Sequence, residues 1–162
     1  MSSATGCAAV VFWGGVAFCA YIYAGFFLIL SLWARLRGER TRPDDAFLPS
    51  VSLLISAYNE EAVIARKLEN ALDLDYPGDK LEILLISDGS MDDTVRIAES
   101  FAGRGVDVLD YAERRGKNGA LNAAIPNAVG DVLVFTDANT DYRPDAIRKL
   151  VRHFADPRVG LV

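Results

Sequence analysis

The sequence predicts an α/β fold: a mostly parallel sheet flanked by helices, preceded by one transmembrane helix, with the sheet incomplete at the C-terminus. Three observations carry this reading. All 17 basic and 22 acidic residues of the 162-residue chain lie from Arg35 onwards, so the N-terminal stretch holds no charged side chain. From residue 51, short and almost wholly apolar runs alternate with stretches of helical period, the pattern of parallel strands buried on both faces and joined by crossover helices. The last apolar run begins at Val159 and meets Val162.

Residues 8–34 form an uncharged run of 27 residues rich in Val, Phe, Ala, Tyr, Ile and Leu. As a helix this run is roughly 40 Å long, enough to cross a hydrocarbon core of ~30 Å with some tilt. The rival readings are a buried soluble helix, which normally keeps a polar face, and a cleaved signal peptide, which wants its basic residues before the apolar run. Here Arg35, Arg37, Arg40 and Arg42 follow it, opposed only by Glu39, and the N-terminal flank has no basic side chain. By the positive-inside rule the rest of the chain faces the cytoplasm, which places the protein in the inner or plasma membrane with a cytoplasmic domain. Trp33 suits an interfacial anchor. Residues 1–37 therefore read as the anchor and 38–50, charged and carrying Pro43 and Pro49, as a linker.

The alternation then runs element by element. Residues 51–57 and 81–87 are apolar strands. Residues 60–72 between them form a helix, with Ile64, Leu68, Ala71 and Leu72 on one face and Asn59 as its cap. Ser90 and Asp93 have capping-box spacing ahead of a helix that runs to about Ala102. Residues 106–111 are a third strand. Residues 118–128 are helical with a break at Pro126. Residues 131–136 are a fourth strand, 145–154 a fourth helix with Pro144 at its start, and 159–162 the beginning of a fifth strand.

Composition removes several function classes. A net charge of −5 argues against a basic nucleic-acid face, and 51% hydrophobic residues exclude a disordered chain. The two cysteines, Cys7 and Cys19, stand about 18 Å apart on a helix and cannot pair. With a single histidine, His153, and no Cys/His cluster, no zinc site of the usual kinds is available. Neither a GxGxxG after the first strand nor a GxxxxGK[ST] occurs, which counts against dinucleotide dehydrogenases and P-loop NTPases.

In parallel sheets ligands bind outside the carboxyl ends of the strands, so the residues after each strand are the candidates. Asp88 precedes Gly89 and Ser90; it can accept hydrogen bonds from a base or ribose, or it can be a turn aspartate bonding its own backbone. Asp137 and Asn139, two residues apart, suit a hard divalent cation, Mg²⁺ or Mn²⁺, or else an Asx turn capping the next helix. A calcium loop starting at Asp137 fails, because Tyr142 stands where Gly is needed and Arg148 where Glu is needed. The run Arg114-Arg115-Gly116-Lys117-Asn118-Gly119 can hold a phosphate or be a solvated loop.

Together the strand ends are more specific than any one of them. Ser56-Ala-Tyr-Asn-Glu-Glu61, Ile86-Ser-Asp-Gly-Ser-Met-Asp-Asp-Thr94, Arg115-Gly-Lys-Asn-Gly-Ala-Leu-Asn122 and Phe135-Thr-Asp-Ala-Asn-Thr140 occur in that order. This set resembles the family 2 glycosyltransferases of GT-A (Rossmann-like) fold, the group of the cellulose, chitin, hyaluronan and poly-N-acetylglucosamine synthases, over about residues 49–162. The resemblance implies that Ala57, Tyr58 and Glu60 line the nucleobase pocket and that Asp88 binds the base or ribose. It implies that Lys117 approaches the diphosphate, and that Asp137 and Asn139 stand for the family's Asp-x-Asp metal motif, with Mg²⁺ or Mn²⁺ as cofactor. Asn139 departs from that motif, a neutral amide replacing the second carboxylate.

The implied activity is membrane-anchored, inverting transfer of a sugar from a nucleoside diphosphate sugar, a UDP-hexose or UDP-N-acetylhexosamine first, to a hydroxyl of an acceptor glycan or lipid. The partners are then the donor, the acceptor and the lipid bilayer, with no nucleic acid. Residues 51–162 would be the donor-binding half of a truncated GT-A domain. The family's general base is expected beyond Val162, and its Gln-x-x-Arg-Trp motif is absent, since the chain has no glutamine and its tryptophans, Trp13 and Trp33, lie in the apolar span. This chain alone is therefore expected to be inactive. Two other functions stand beside it: a non-catalytic, membrane-tethered nucleotide-binding module, and a nucleotidyltransferase, which would want a Gly-rich basic loop where this chain has Ala57-Tyr58-Asn59-Glu60.

Overall fold

The structure, a computed structural model, describes residues 2–37 and 42–162, and it falls into two units, Met1–Thr41 and Arg42–Val162. The first unit is helical. Helix α1 (Ser2–Ala20) passes through a π-turn at Tyr21–Gly25 into α2 (Phe26–Arg37). Its segment Gly6–Leu36 is long and apolar enough to cross a membrane, and none of it is buried in the protein. Cys7 and Cys19 are both free and exposed. The basic flank and the linker extend into residues 38–41, which lie outside the described residues.

The second unit is a four-stranded parallel sheet in the order β3-β2-β1-β4. Its strands are β1 (Val51–Ala57), β2 (Leu81–Asp88), β3 (Val106–Tyr111) and β4 (Val132–Asp137). The alternating side chains of β1 and β2 feed two cores. Val51, Leu53, Ile55, Ile83 and Leu85 face one way, against Ile64, Leu68 and Ala71 of α3 (Ile64–Leu72), Ala98 of α4 (Thr94–Glu99), and Ile147 and Val151 of α6 (Ala146–Val151). Leu54, Leu84 and Ile86 face the other way, against Ala120 and Ala124 of α5 (Lys117–Ala124). Leu53, Leu54 and Ile55 are fully buried. Each such side chain contributes about 1.5–3 kcal/mol, which explains why these strands read as continuous apolar runs.

The strand order positions the site. From β1 the chain winds out to β2 and β3, then crosses back to lay β4 on the other side of β1. The crevice at the carboxyl ends of β1 and β4 is the switch point where open α/β sheets bind ligands.

Local chemistry shifts some expected boundaries. The helix expected from residue 60 starts at Ile64, because Asn59 takes a left-handed conformation (φ 54°) and the Glu60 carbonyl accepts from the Val63 and Ile64 N–H groups in a turn. Asn59 does not cap that helix; its Oδ1 accepts from the Met91 N–H at 2.8 Å. Ser90 does not cap α4 either. Its Oγ accepts from the Asn59 N–H, while Asp92 accepts from both the N–H and hydroxyl of Thr94. α5 ends at Ala124 and passes into a 3₁₀ turn at Ile125–Asn127 that contains the helix-breaking Pro126. Residues 159–162 form no strand: the Val159 N–H is spent on the Asp156 carbonyl in a turn that the Arg158 guanidinium tightens onto the Asp156 carboxylate.

Candidate functional site

β1 and β4 end side by side, with Ser56 the register partner of Asp137. The Ser56 hydroxyl donates to Asp137 Oδ1 at 3.1 Å. α5 begins after Gly116, whose φ of 76° lets the chain turn sharply, and this brings Lys117 back over the strand ends. Lys117 Nζ lies 2.5 Å from the same Asp137 oxygen. The Asp137 carboxyl is held below the usual carboxylate range, first by the Lys117 hydrogen bond and then by that of Ser56 and the charges of Lys117 and Lys67, against some desolvation.

The β2 end contributes Asp88, which is buried. Its carboxylate accepts from the Arg115 N–H at 2.7 Å, a bond spanning 27 residues of sequence. Asp88 is therefore not a turn aspartate serving its own backbone; it ties the basic loop to the sheet. Gly89, with φ 73°, lets that loop pass close by: a Cβ there would stand 3.1 Å from the Arg114 nitrogen. Arg114 in turn lies over the Tyr58 ring, 4.0 Å from its centroid, as a cation–π pair.

The loop after β1 is laced to the loop after β2. The Glu60 N–H donates to Thr94 Oγ1, the Glu61 N–H to Asp92 Oδ2, and the Asp93 N–H to Glu61 Oε2. Glu60 itself reaches across to the β4 loop, where Asn139 Nδ2 donates to its Oε1 at 3.0 Å. The motif read as part of a base pocket thus also touches the motif read as a cation site.

Ala57, Tyr58, Glu60, Asp88, Lys117, Asp137 and Asn139 all line one open cavity of about 340 Å³, joined there by Ser56, Arg114, Ala120 and Thr140. The topology brings together these seven residues, proposed from the sequence as nucleotide-sugar and cation contacts. Among the described residues no group of three or more His, Cys, Asp or Glu side chains forms a ready cage for a metal. Asp137 and Asn139 fit a cation that takes the rest of its oxygens from a ligand and water. The ammonium of Lys117 is already bonded to one Asp137 oxygen.

One residue of this neighbourhood carries no role in the sequence reading. Lys67, on α3, is fully buried, and its Nζ donates to Thr136 Oγ1 at 3.1 Å and to the Thr140 carbonyl at 2.5 Å. Burial pushes its pKa down, and Asp141 and Asp137 pull it back up. The available signal was positional: Lys67 stands in the apolar stripe of Ile64, Leu68 and Ala71.

Residues 52–162 match the family profile described as Glycosyl transferase family 2. The beta-monoglucosyldiacylglycerol synthase of a Synechocystis species is 35% identical over 117 residues, covering 69% of this chain and 24% of the relative. The poly-beta-1,6-N-acetyl-D-glucosamine synthase of Staphylococcus aureus is 35% identical over 117 residues, covering 71% and 28%. The chain thus spans about a quarter of the length of these curated relatives. Among solved structures, the mannosyltransferase PcManGT from Pyrobaculum calidifontis, in complex with GDP-Man and Mn²⁺, aligns with a TM-score of 0.78 at 32% identity, covering 90% of this chain and 44% of that one. Glucosyl-3-phosphoglycerate synthase from Mycobacterium tuberculosis, in complex with Mn²⁺ and UDP, aligns at 0.51 with 25% identity, covering 64% and 38%.

Proposed function

The chain belongs to glycosyl transferase family 2 and has its GT-A-like fold, and from that premise we propose that residues 51–162 are the donor-binding half of a sugar-transferring enzyme. The observation that carries the reading is the single cavity. A basic loop, a buried acceptor of hydrogen bonds and the ionised carboxylate of Asp137 converge on it at the switch point of the sheet. The donor is a nucleoside diphosphate sugar. Asp88 and the Tyr58–Arg114 pair offer the nucleoside a hydrogen-bonding and a stacking surface, and Lys117 offers the diphosphate a charge-assisted contact. Uridine is the nucleoside tested first, with guanosine as rival, since the two Mn²⁺-bearing neighbours hold UDP and GDP-Man.

Asp137 and Asn139 would hold the divalent cation. That cation, when bound, neutralises charge building on the departing diphosphate. Asp137 provides a full charge, already ionised under the influence of Lys117 and Ser56, and Asn139 a neutral oxygen. The pocket carboxylates all have partners: Asp88 has the Arg115 N–H, Asp137 has Lys117 and Ser56, and Glu60 has Asn139. None of them is offered as the base that takes the proton from the acceptor hydroxyl. Transfer with inversion, by direct attack of that hydroxyl on the anomeric carbon, is the proposed reaction of the whole protein, and a glycan or lipid its proposed acceptor.

The proposed setting is the membrane, anchored through Gly6–Leu36, with the α/β unit on the cytoplasmic side. The absence of basic residues before the span and the arginines after it support that orientation. Calorimetry of the detergent-solubilised chain with UDP and GDP, each with Mn²⁺ and with EDTA, tests the binding function. Cation-dependent binding of a nucleoside diphosphate is the expected result; equal binding in EDTA removes the cation role, and no binding of either nucleotide removes the donor site.

A further inference from the structure

We propose that Lys67 is a positioning residue for the cation site, pinning both ends of the turn that carries Asp137 and Asn139. The inference rests on the reading of those two residues as cation ligands. Its basis is where the two bonds of one ammonium go. Thr136 immediately precedes Asp137, and Thr140 immediately follows Asn139; Lys67 Nζ binds the hydroxyl of the first and the carbonyl of the second. The turn is closed from within by the Thr140 N–H, which donates to the Asp137 carbonyl at 3.3 Å. Beyond it, Asn70, one turn along α3 from Lys67, exchanges two hydrogen bonds with the backbone of Tyr142, each at 2.8 Å. The Tyr142 ring covers the ammonium, with Nζ 4.5 Å from its centroid. Helix α3 therefore grips residues 136–142 from behind, while their side chains at 137 and 139 line the cavity in front.

Packing alone does not explain a lysine here. Leu or Met would fill the same place in the apolar stripe of α3 without bringing an ammonium out of water, which is costly unless its bonds are well made. Among the described residues, its ammonium bonds only the Thr136 hydroxyl and the Thr140 carbonyl, on either side of residues 137–139. A turn fixed at both ends keeps its carboxylate and amide at a set separation before any ligand arrives, so less ordering is left for the moment of binding.

The position of the charge sharpens the test. A lysine that merely sat behind Asp137 would repel an incoming cation, and its removal would tighten Mn²⁺ binding. A lysine that positions the turn has the opposite signature. The experiment compares the wild-type full chain in detergent with Lys67→Met and Thr136→Val. UDP affinity is measured in Mn²⁺ and in EDTA, and hydrogen exchange is followed over peptides from residues 136–142 and from β1 and β2.

In Lys67→Met the Mn²⁺-dependent gain in UDP affinity is expected to fall about tenfold, the scale of losing charge-assisted hydrogen bonds, while binding in EDTA stays within about twofold. Exchange over 136–142 accelerates and β1 and β2 stay protected. Thr136→Val, which removes one bond and keeps the ammonium, shows the same pattern at about threefold, and it decides the matter if Lys67→Met does not fold. A gain that is retained or enlarged overturns the proposal, as does an equal loss in Mn²⁺ and in EDTA. If the wild type shows no Mn²⁺-dependent gain, the cation reading of Asp137 and Asn139 has failed instead, and exchange decides alone: faster exchange confined to 136–142 supports the clamp, unchanged exchange overturns it.

Discussion

Lys117 and Asp137, 20 residues apart in sequence, meet as an ion pair with Nζ and Oδ1 2.5 Å apart. The residue proposed to hold the diphosphate is thus bonded to the residue proposed to hold the cation. Both side chains are more than half exposed, so the pair stabilises the fold by no more than about 1 kcal/mol and separates easily. On the proposed reading each partner would have a replacement when a cation and a diphosphate bind: Asp137 would hold the metal and Lys117 phosphate oxygens.

Lys117→Met therefore has opposite effects on two ligands. UDP in the presence of Mn²⁺ binds about tenfold more weakly, since a charge-assisted contact is lost. Mn²⁺ without nucleotide binds a few-fold more tightly, since its competitor at Asp137 is gone. Titrating each ligand separately into the variant checks both, and weaker Mn²⁺ binding without nucleotide contradicts the exchange.

Asp137→Ala abolishes cation-dependent nucleotide binding more completely than Asn139→Ala. The carboxylate gives a charge-assisted contact of about 1.5–3 kcal/mol, whereas a neutral contact gives about 1. Asn139→Asp tightens Mn²⁺ binding, although the new carboxylate then faces Glu60, 3.0 Å from the present amide nitrogen, and that repulsion limits the gain. Calorimetry orders the three variants; a larger loss from Asn139→Ala reverses the assignment of the principal ligand.

The pocket residues were legible because each stands at the end of an apolar strand or in the segment that follows it, and parallel topology carries all strand ends to one edge. What joins them was not legible. Ser90 and Asp93 read as a capping box, and only the approach of the Asn59–Glu61 segment decides that Ser90 serves Asn59 while Asp92 serves Thr94. Lys67 drew no role from the sequence, because a lysine beside an apolar stripe ordinarily carries its ammonium past its neighbours to water. That it turns inward depends on Thr136 and Thr140, nearly 70 residues away or more, lying behind the turn. The start of α3 escaped for a similar reason, since Asn59 gives up its cap position to bridge to Met91.

Gly130 is held by close backbone approach. A Cβ there would stand 2.4 Å from the Ser52 nitrogen and 2.6 Å from the Val51 carbonyl carbon, both in the buried strand β1, and the Gly130 N–H donates to Ser52 Oγ. Ser52 also hydrogen-bonds Glu82, whose carboxylate accepts from the Val129 N–H. Gly130→Ala must displace this network and is expected to destabilise the α/β unit by about 1–3 kcal/mol. Gly103→Ala, with open space around its Cβ, stays within about 0.5 kcal/mol. Denaturant melts of the two variants, followed by tyrosine fluorescence, make the comparison.

The pH dependence of the site follows from Asp137. Its carboxyl is depressed from an ordinary value of 3.8, chiefly by the Lys117 hydrogen bond. A group depressed in the folded state contributes stability that is present above its unfolded pKa and is lost as pH falls through the folded value. The loss therefore comes below pH 3.8, and it is small in a melt because the carboxylate is half exposed. On the proposed cation reading, binding would follow the same titration with more contrast, since only the ionised carboxylate would serve as a ligand. Mn²⁺ affinity should stay level from neutral pH to about pH 5, as Asp137 remains charged throughout. In Lys117→Met, where the largest cause of the shift is removed, the Asp137 carboxyl moves back towards 3.8. Carbon-13 chemical shifts of labelled aspartate, followed against pH in wild type and variant, measure that movement. A higher midpoint in the variant is the expected outcome; identical midpoints would mean that Lys117 does not hold Asp137 in solution.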